Sequence, residues 1–354
     1  MALSISVIIP TVAGSNTIQD LIIHLTTSDM GLPPGDYEII AVVDGGPPFT
    51  FPSEVNGIPI TITANQRYRG AAGARNTGAL LAKGEYLLFL DDDTFPSESA
   101  LGKIVRDLRQ LGPKAAIGIT KNQLIYDREY VEKIKKSLVG HFFLNEHKKL
   151  YFHTLYPAPA TFLCSTAMAM HRSIFFSVGG FKEIPPQRWR RVGLYIGAED
   201  IELSHRLLQE GIQLFFAGGI QFISRERNLL TPKVAFHRRF IEGFGKRILW
   251  EQLNEPAHVR FALSRDFPLL HKLLRSKYGL VLGYIAWFFH NVFDLLFRLT
   301  HGRLAWHHPL LLGMYAFEYA GIRFAEHKIS EGILNQQQWI TCADMDTNLS
   351  FCDN

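Results

Sequence analysis

Along the first hundred residues, segments whose hydrophobic pattern is typical of β-strands alternate with segments whose pattern is typical of helices. Short apolar runs rich in Val and Ile, which are typical of buried strands, lie at residues 5–10, 37–46, 58–66 and 85–93. Two helical segments separate them, at residues 15–28 and 70–84, and Ser15 or Asn16 is the expected N-cap of the first. Strands that alternate with helices predict an α/β fold with a mostly parallel sheet and helices on both faces.

The pattern changes twice further along the chain. It loosens from about residue 110 to 195, and a helical segment at 198–211 is then followed by an apolar strand at 212–219. Beyond about residue 225 the strand signals vanish, and aromatic, basic segments of helical character follow. We therefore expect an α/β domain, a helical extension and a polar tail, over residues 1–225, 226–330 and 331–354.

Composition excludes several classes of protein. The 354 residues are 47% hydrophobic and 20% charged, which is ordinary for a globular chain with a sizeable core. The net charge of +4 is too small to argue for nucleic acid as a partner. Cys164, Cys342 and Cys352 are scattered, so we expect a reducing compartment rather than disulfides or a zinc site. The N-terminal segment has no basic region before its short apolar run, which predicts a strand and not a signal peptide.

Acidic residues stand at the ends of two predicted strands. Asp44 ends the second strand, and Asp91, Asp92 and Asp93 follow the fourth. Ligands of such sheets bind beyond the carboxyl ends of the strands. These residues alone leave two interpretations open. One is a solvated turn, in which Asp is common, and the other is a site for Mg²⁺ or Mn²⁺, whose ligands are carboxylates and substrate phosphates.

Two further segments carry candidate chemistry. Residues 65–78 are rich in Gly, Ala and Arg and open a helix, which suits an anionic group at the helix N-terminus, although the spacing is not that of a P-loop. Glu199 and Asp200 open the helix at 198–211. An acidic first turn that complements the helix dipole would explain this pair equally well.

Five motifs, taken in order, carry a resemblance to a known family. They are SVIIPT (6–11), YEIIAVVDGG (37–46), GAAGARNTGALLAKGEYLLFLDDDT (70–94), VGGF (178–181) and GAEDIELSHRLLQEG (197–211). By these motifs, residues 4–216 resemble the family 2 glycosyltransferases of the GT-A fold. The resemblance implies a Rossmann-like, mostly parallel mixed sheet. Its donor-binding half would be about residues 1–110 and its acceptor-binding half about residues 111–225.

The resemblance also implies site residues. Asp200 would be the general base for the acceptor hydroxyl, and Glu199 would orient the acceptor or the sugar. Asp91 and Asp93 would hold Mn²⁺ or Mg²⁺, and His237 would be a further ligand unless it is an ordinary histidine of a basic patch. The residues expected to bind the nucleotide sugar are Pro10, Thr11, Asp44, Arg69, Arg75, Asn76, Asp91 and Asp92.

Within the donor set, the implied roles differ. Asp44 would accept from the base, next to Thr11, and Arg69 and Arg75 would lie near the base or the diphosphate. Asp92 occupies the variable middle position of the aspartate motif, so we expect it to tolerate substitution.

The acceptor side and the C-terminal helices leave alternatives open. The basic segment 182–194 forms either a surface loop over a packed aromatic or an acceptor site made by Arg188, Trp189 and Arg190. Residues 279–299 are long enough to cross a membrane, but polar residues interrupt their second half. A helix of an aromatic subdomain, or contact of residues 279–325 with a membrane surface, fits better.

The sequence and the resemblance predict a metal-dependent, inverting glycosyltransferase. It would move a sugar from a nucleotide-diphosphate donor, with a UDP-sugar favoured, to a hydroxyl of a saccharide or lipid-linked acceptor. We expect it in the cytoplasm or peripheral at the inner face of the membrane. Two rivals remain: a nucleotidyl- or phosphosugar-transferase on a similar sheet, and a glycosyltransferase-like binding module that has lost catalysis. The first would need a glycine-rich signature after the first strand, where TVAGSNTI has a single glycine.

Overall fold

The computed structural model describes residues 3–119, 124–141, 144, 156–183, 199–225, 231–253, 272–274, 276, 278–300 and 308–330. Its strands are β1 (Ile5–Val12), β2 (Tyr37–Asp44), β3 (Glu54–Val55), β4 (Ile58–Ala64), β5 (Tyr86–Leu90), β6 (Thr94–Pro96), β7 (Ala115–Ile119), β8 (Leu124–Tyr126), β9 (Ala158–Ala160), β10 (Cys164–His171), β11 (Gln213–Phe216) and β12 (Phe222–Ser224). Its helices are α1 (Ile18–Thr27), α2 (Ala71–Leu81), α3 (Ala100–Leu111), α4 (Arg128–Ile134), α5 (Arg172–Ser177), α6 (Glu199–Gln209), α7 (Pro232–Leu253), α8 (Gly279–Leu299) and α9 (His308–Ser330).

A nine-stranded mixed sheet forms the centre of the fold, in the order β3-β4-β2-β1-β5-β10-β7-β11-β9. The strands β4, β2, β1 and β5 run parallel to one another. By contrast, β10 is antiparallel to both of its neighbours, β5 and β7. A second sheet, β6-β12-β8, contains three short strands. The predicted class is confirmed: a mixed sheet flanked by helices, followed by C-terminal helices.

Helices cover both faces of the sheet because the strand residues alternate between two apolar layers. Ile5, Val7 and Ile9 of β1 are buried in a cluster with residues of α1 and α3. Ile8, between them, is buried in a second cluster with residues of α2, α5 and α6. The strand ends are therefore held rigidly between two packed layers.

The first helix begins one or two residues later than the predicted caps, Asn16 or Ser15, imply. The N-cap of α1 is Thr17, without a capping side-chain hydrogen bond. Ser15 lies close to Thr17, with 3.0 Å between the two hydroxyl oxygens. The hydroxyl of Ser15 also donates to Asp92. The predicted cap residue Ser15 thus bonds to the aspartate loop, residues 91–93, and does not cap a backbone N–H group of the helix.

The C-terminal helices pack on the segment that contains α4. Tyr130 and Ile134 of α4 share an apolar cluster with Phe236 of α7 and Leu310 of α9. The backbone N–H of Leu138 donates to Asp294 of α8 at 2.7 Å. By length and composition, α8 is the one described helix that could cross a membrane. The boundary between the α/β domain and the extension stays a prediction.

Candidate active site

Three parallel strands end at one edge of the sheet and bring their polar residues together. Thr11 lies near the end of β1, Asp44 ends β2, and Asp91 follows β5. The hydroxyl groups of Thr11 and Ser15 both donate to Oδ2 of Asp92, at 2.5 and 2.7 Å. These bonds argue against the expectation that Asp92 tolerates substitution, because its carboxylate joins residues 91–93 to the end of β1.

Arg75 of α2 links the aspartate loop to the acidic start of α6. Its Nη2 donates to Oδ1 of Asp91 at 2.7 Å, and its Nη1 donates to Oε1 of Glu199 at 3.1 Å. The guanidinium also lies over the ring of Phe181, 5.4 Å from its centroid. Although only 3% of Arg75 is exposed, the two carboxylates outweigh the effect of burial and raise its pKa. Arg75 is therefore a fixed positive charge between two regions that the sequence predicted separately.

The carboxylate of Asp200 is oriented by backbone N–H groups. Its Oδ1 accepts from Ile201 at 2.9 Å, and its Oδ2 accepts from Ser165 of β10 at 3.3 Å. The next residue, Thr166, accepts from the backbone N–H of Asp91 at 3.0 Å. The start of β10 therefore holds Asp200 close to the aspartate loop, a role that no sequence signal indicated.

Glu199 is mostly buried beside Asp200, with 18% of its side chain exposed. Burial raises the pKa of Glu199, the negative charge of Asp200 raises it further, and the charge of Arg75 lowers it. Removal of Arg75 would therefore favour the protonated form of Glu199. The ionisation of Glu199 therefore depends on the guanidinium.

Asp44 organises the loop before α2. Its Oδ1 accepts from Asn65 at 2.8 Å, and its Oδ2 accepts from the backbone N–H of Gly70 at 3.0 Å. Asp44 therefore already accepts from Gly70, one of the backbone N–H groups near the α2 N-terminus that were predicted to bind an anionic group. Arg69 is 68% exposed and lies 4.0 Å from Asp44, so it can reach a ligand. Pro10, near the end of the neighbouring β1, is half-buried.

Glu183 is a buried carboxylate that the sequence analysis missed. It pairs with Arg67 and accepts from Asn76 at 2.5 Å and from the backbone N–H of Tyr68 at 3.1 Å. Asn76 in turn bonds in both directions with the backbone of Phe181, at 2.8 and 3.0 Å. Asn76 is thereby linked, through Glu183, to the loop before α2. A single acid two residues after the VGGF motif is too common a feature to indicate this role from the sequence.

The last aspartate of the loop lies against β12. The backbone N–H of Arg225 donates to the carbonyl of Asp93 at 2.8 Å. The exposed guanidinium of Arg225 lies 4.0 Å from the centroid of the Phe95 ring. Each of the three aspartates is thus held by a different neighbour, and Arg225 adds a positive charge that the sequence analysis did not identify.

Whether a divalent cation fits the site depends on the side chains that can coordinate it. Asp91 and Asp93 offer the carboxylate oxygens that Mg²⁺ and Mn²⁺ prefer. Among the described residues, no group of three His, Cys, Asp or Glu side chains could hold an ion. The predicted set of Asp91, Asp93 and His237 is therefore not preassembled, and His237 is exposed on α7. One or two carboxylates still suit a metal that takes its other ligands from substrate phosphates.

The predicted acceptor residues Arg188, Trp189 and Arg190 lie outside the described residues. Of the segment 182–194 that contains them, the structure describes only Lys182 and Glu183. The role of Arg188, Trp189 and Arg190 stays a prediction.

Comparisons with known proteins agree with this fold. A mannosyltransferase of Pyrobaculum calidifontis, PcManGT, solved with GDP-Man and Mn²⁺, superposes with a TM-score of 0.50 at 16% identity, over 93% of this chain and 87% of that one. TarS of S. aureus, residues 1–349 with UDP, gives a TM-score of 0.45 at 16% identity, over 93% of this chain and 92% of that one. A Haemophilus influenzae protein described as an uncharacterized glycosyltransferase is 29% identical over 106 residues, which is 30% of this chain. The chain matches about a third of that relative's length, 35%.

The mixed sheet with its acidic strand ends is the GT-A type of α/β fold. The family described as Glycosyl transferase family 2 matches residues 6–178, the region that contains the strand ends and the aspartate loop. Residues 6–178 are therefore similar in sequence to the family 2 glycosyltransferases.

Proposed function

We propose that the protein transfers a sugar from a nucleotide-diphosphate donor to a hydroxyl group of a saccharide or lipid-linked acceptor, with inversion at the anomeric carbon. One observation carries the proposal: Arg75 bonds Asp91 and Glu199 at once, which brings the expected donor motif and the expected catalytic acids to one place. The relative PcManGT was solved with GDP-Man and Mn²⁺, which supports a donor of this class.

The donor side would be formed by the carboxyl ends of β1, β2 and β5. Asp44 would accept from the N–H of a uracil or guanine base, since a carboxylate has lone pairs beyond those used by Asn65 and Gly70. The exposed cations Arg69 and Arg225 would face the diphosphate. When bound by Asp93 and Asp91, a divalent cation would neutralise the charge of the leaving diphosphate.

The acceptor side would centre on Asp200. Its carboxylate would take the proton of the acceptor hydroxyl while the acceptor oxygen bonds to the anomeric carbon and the bond to the diphosphate breaks. The backbone N–H groups of Ile201 and Ser165 aim this carboxylate. Glu199, held by Arg75, would bind a sugar hydroxyl. One base and one leaving group suit a single displacement, hence inversion.

A donor panel tests the proposal. UDP- and GDP-sugars are incubated with the protein and a mixture of saccharide acceptors, with and without Mn²⁺, and release of the nucleoside diphosphate is measured. We expect turnover with at least one donor, and a loss of about 10²–10⁴-fold in Asp200→Asn with donor binding retained. The matched control is Glu210→Gln, an exposed acid just beyond the other end of α6. Absence of turnover with every donor, or an unaffected Asp200→Asn, would refute the proposal.

A further inference from the structure

An unbroken apolar stripe runs along the exposed side of α8. Its members recur at helical spacing, three, four or seven residues apart, and are between 40% and 67% exposed: Val281, Tyr284, Ile285, Phe288, Val292, Leu295 and Leu299. At 1.5 Å per residue the stripe is about 27 Å long. Large exposed apolar patches mark interaction sites in soluble domains. The stripe therefore requires a partner.

The opposite side of α8 is attached to the rest of the protein over the length of the helix. Near its start, Gly283 packs so closely on α9 that an added Cβ would lie 3.0 Å from the Cβ of Ala316. Near its end, Asp294 accepts from the backbone N–H of Leu138, and the rings of Phe297 and His141 lie 5.2 Å apart. A helix held in this way cannot also be surrounded by lipid, which argues against a membrane-spanning role.

Two polar residues of α8, His290 and Asp294, lie away from the stripe, whereas Asn291 is exposed beside it and donates to the carbonyl of Trp287 at 2.9 Å. His290 is fully buried at 0% exposure, on the packed side. Asp294 bonds to Leu138 and to Arg298, the latter at 2.8 Å. Tyr278, Tyr284 and Trp287, at or beside the stripe, have apolar rings with a polar tip, the side chains that favour the membrane–water interface.

Positive charges flank α8 on both sides. Lys272 is exposed before the helix, and the sequence places Lys277 directly before it as well. Arg298, at its end, is 58% exposed. Between residues 226 and 330, Lys and Arg outnumber Asp and Glu by roughly two to one, whereas the whole chain has 37 against 33. An apolar stripe between cations complements an anionic lipid surface better than it complements another basic protein surface.

We propose that α8 is a membrane-docking helix that lies flat on an anionic bilayer, with the stripe in the headgroup region. Lipid binding by the stripe can be tested separately from the proposed reaction, since it needs neither a nucleotide sugar nor turnover.

Vesicle co-sedimentation with the full chain tests this proposal. Phosphatidylcholine vesicles are compared with vesicles of phosphatidylcholine mixed with phosphatidylglycerol. We expect binding to the anionic vesicles, weakened by salt, and a loss of about tenfold or more in Phe288→Asp, because an apolar ring that would be buried in the headgroup region is replaced by a negative charge. Ile23→Asp is the matched control, since Ile23 is 50% exposed on α1, and it should bind as the wild type does.

Three outcomes would overturn the proposal. One is equal binding of the wild type and Phe288→Asp. Another is a lipid-free dimer, seen by analytical ultracentrifugation, that Phe288→Asp dissociates, since the stripe would then belong to a second copy. The third is protease protection of both flanks of α8 in sealed vesicles, which would show a spanning helix. Far-UV circular dichroism of Phe288→Asp establishes that a loss of binding is not a loss of fold.

Discussion

At the scale of single residues, the charge of Arg75 favours the ionised form of Glu199. Burial raises the pKa of Glu199, and Arg75 lowers it. We expect transfer to require ionised Glu199, so activity should rise with pH as Glu199 loses its proton. In Arg75→Gln the lowering effect is gone, and the acidic limb of kcat/KM should move to higher pH, with kcat reduced. A pH–rate profile measures both effects.

The control for this prediction is Arg109→Gln. Arg109 pairs with Glu85 at 3.4 Å on the surface, where ion pairs contribute little. Its pH profile should match that of the wild type. If Arg75→Gln retains the wild-type acidic limb, Arg75 acts only in packing, and the proposed coupling is wrong.

The bond between Thr11 and Asp92 predicts an energetic coupling. Thr11 is 4% exposed, so loss of its partner leaves a hydroxyl buried without a hydrogen bond. A double-mutant cycle with Thr11→Val and Asp92→Ala, read by denaturant unfolding, should give a coupling of about 1–3 kcal/mol. The exposed pair Lys133 and Glu129 provides the comparison cycle, for which we expect about 0.3–0.5 kcal/mol. Additive effects at Thr11 and Asp92 would show that this bond contributes nothing to stability.

The sequence located the acidic residues of the site but not the residues that position them. Asp44 and Asp91 could be placed at one sheet edge because parallel strands end together. Glu183 and Ser165 could not be found, since they meet Arg67 and Asp200 only after the chain has folded. No local period or spacing encodes such contacts.

At the scale of elements, close packing of α2 predicts an exception to helix propensity. Gly→Ala in a helix interior normally stabilises by about 1 kcal/mol. At Gly73, however, an added Cβ would lie 1.9 Å from the carbonyl oxygen of Tyr68. The cost of this steric clash with the backbone should exceed the gain in helix propensity, so Gly73→Ala should destabilise the protein by about 1–3 kcal/mol. Thermal unfolding measures the effect. Leu80→Ala, at an exposed position of the same helix, should stay within about 0.5 kcal/mol.

The order of the strands was only partly predictable. The alternation of strand and helix over the first hundred residues indicates that β1, β2, β4 and β5 run parallel. It does not indicate that β5, which follows β4 in the chain, pairs with β1. By contrast, β10 enters between β5 and β7 from a distant part of the chain and runs antiparallel. Its apolar residues fit any central position, so its place follows from packing of the whole sheet.

At the scale of the whole molecule, the α/β region and the C-terminal helices are joined by specific contacts. Asp294 of α8 bonds to the backbone at Leu138, and Phe236 of α7 packs in one cluster with Tyr130 of α4. Movement of the membrane-docking helix would therefore also move the segment that carries α4. We expect the two parts to unfold together.

Donor binding should stabilise this assembly, and the metal dependence of that effect tests the aspartate loop. A ligand at a hundred times its Kd adds about 2.7 kcal/mol, which corresponds to about 5–10 °C in Tm for a domain of this size. We expect the shift with UDP or GDP only when Mn²⁺ is present, since Asp91 and Asp93 offer too few ligands without the phosphates. Asp93→Asn should lose the Mn²⁺-dependent part, while Glu98→Gln, an exposed acid nearby, should keep it. An equal shift with and without Mn²⁺ would mean that Arg69 and Arg225 neutralise the diphosphate and that no metal is needed.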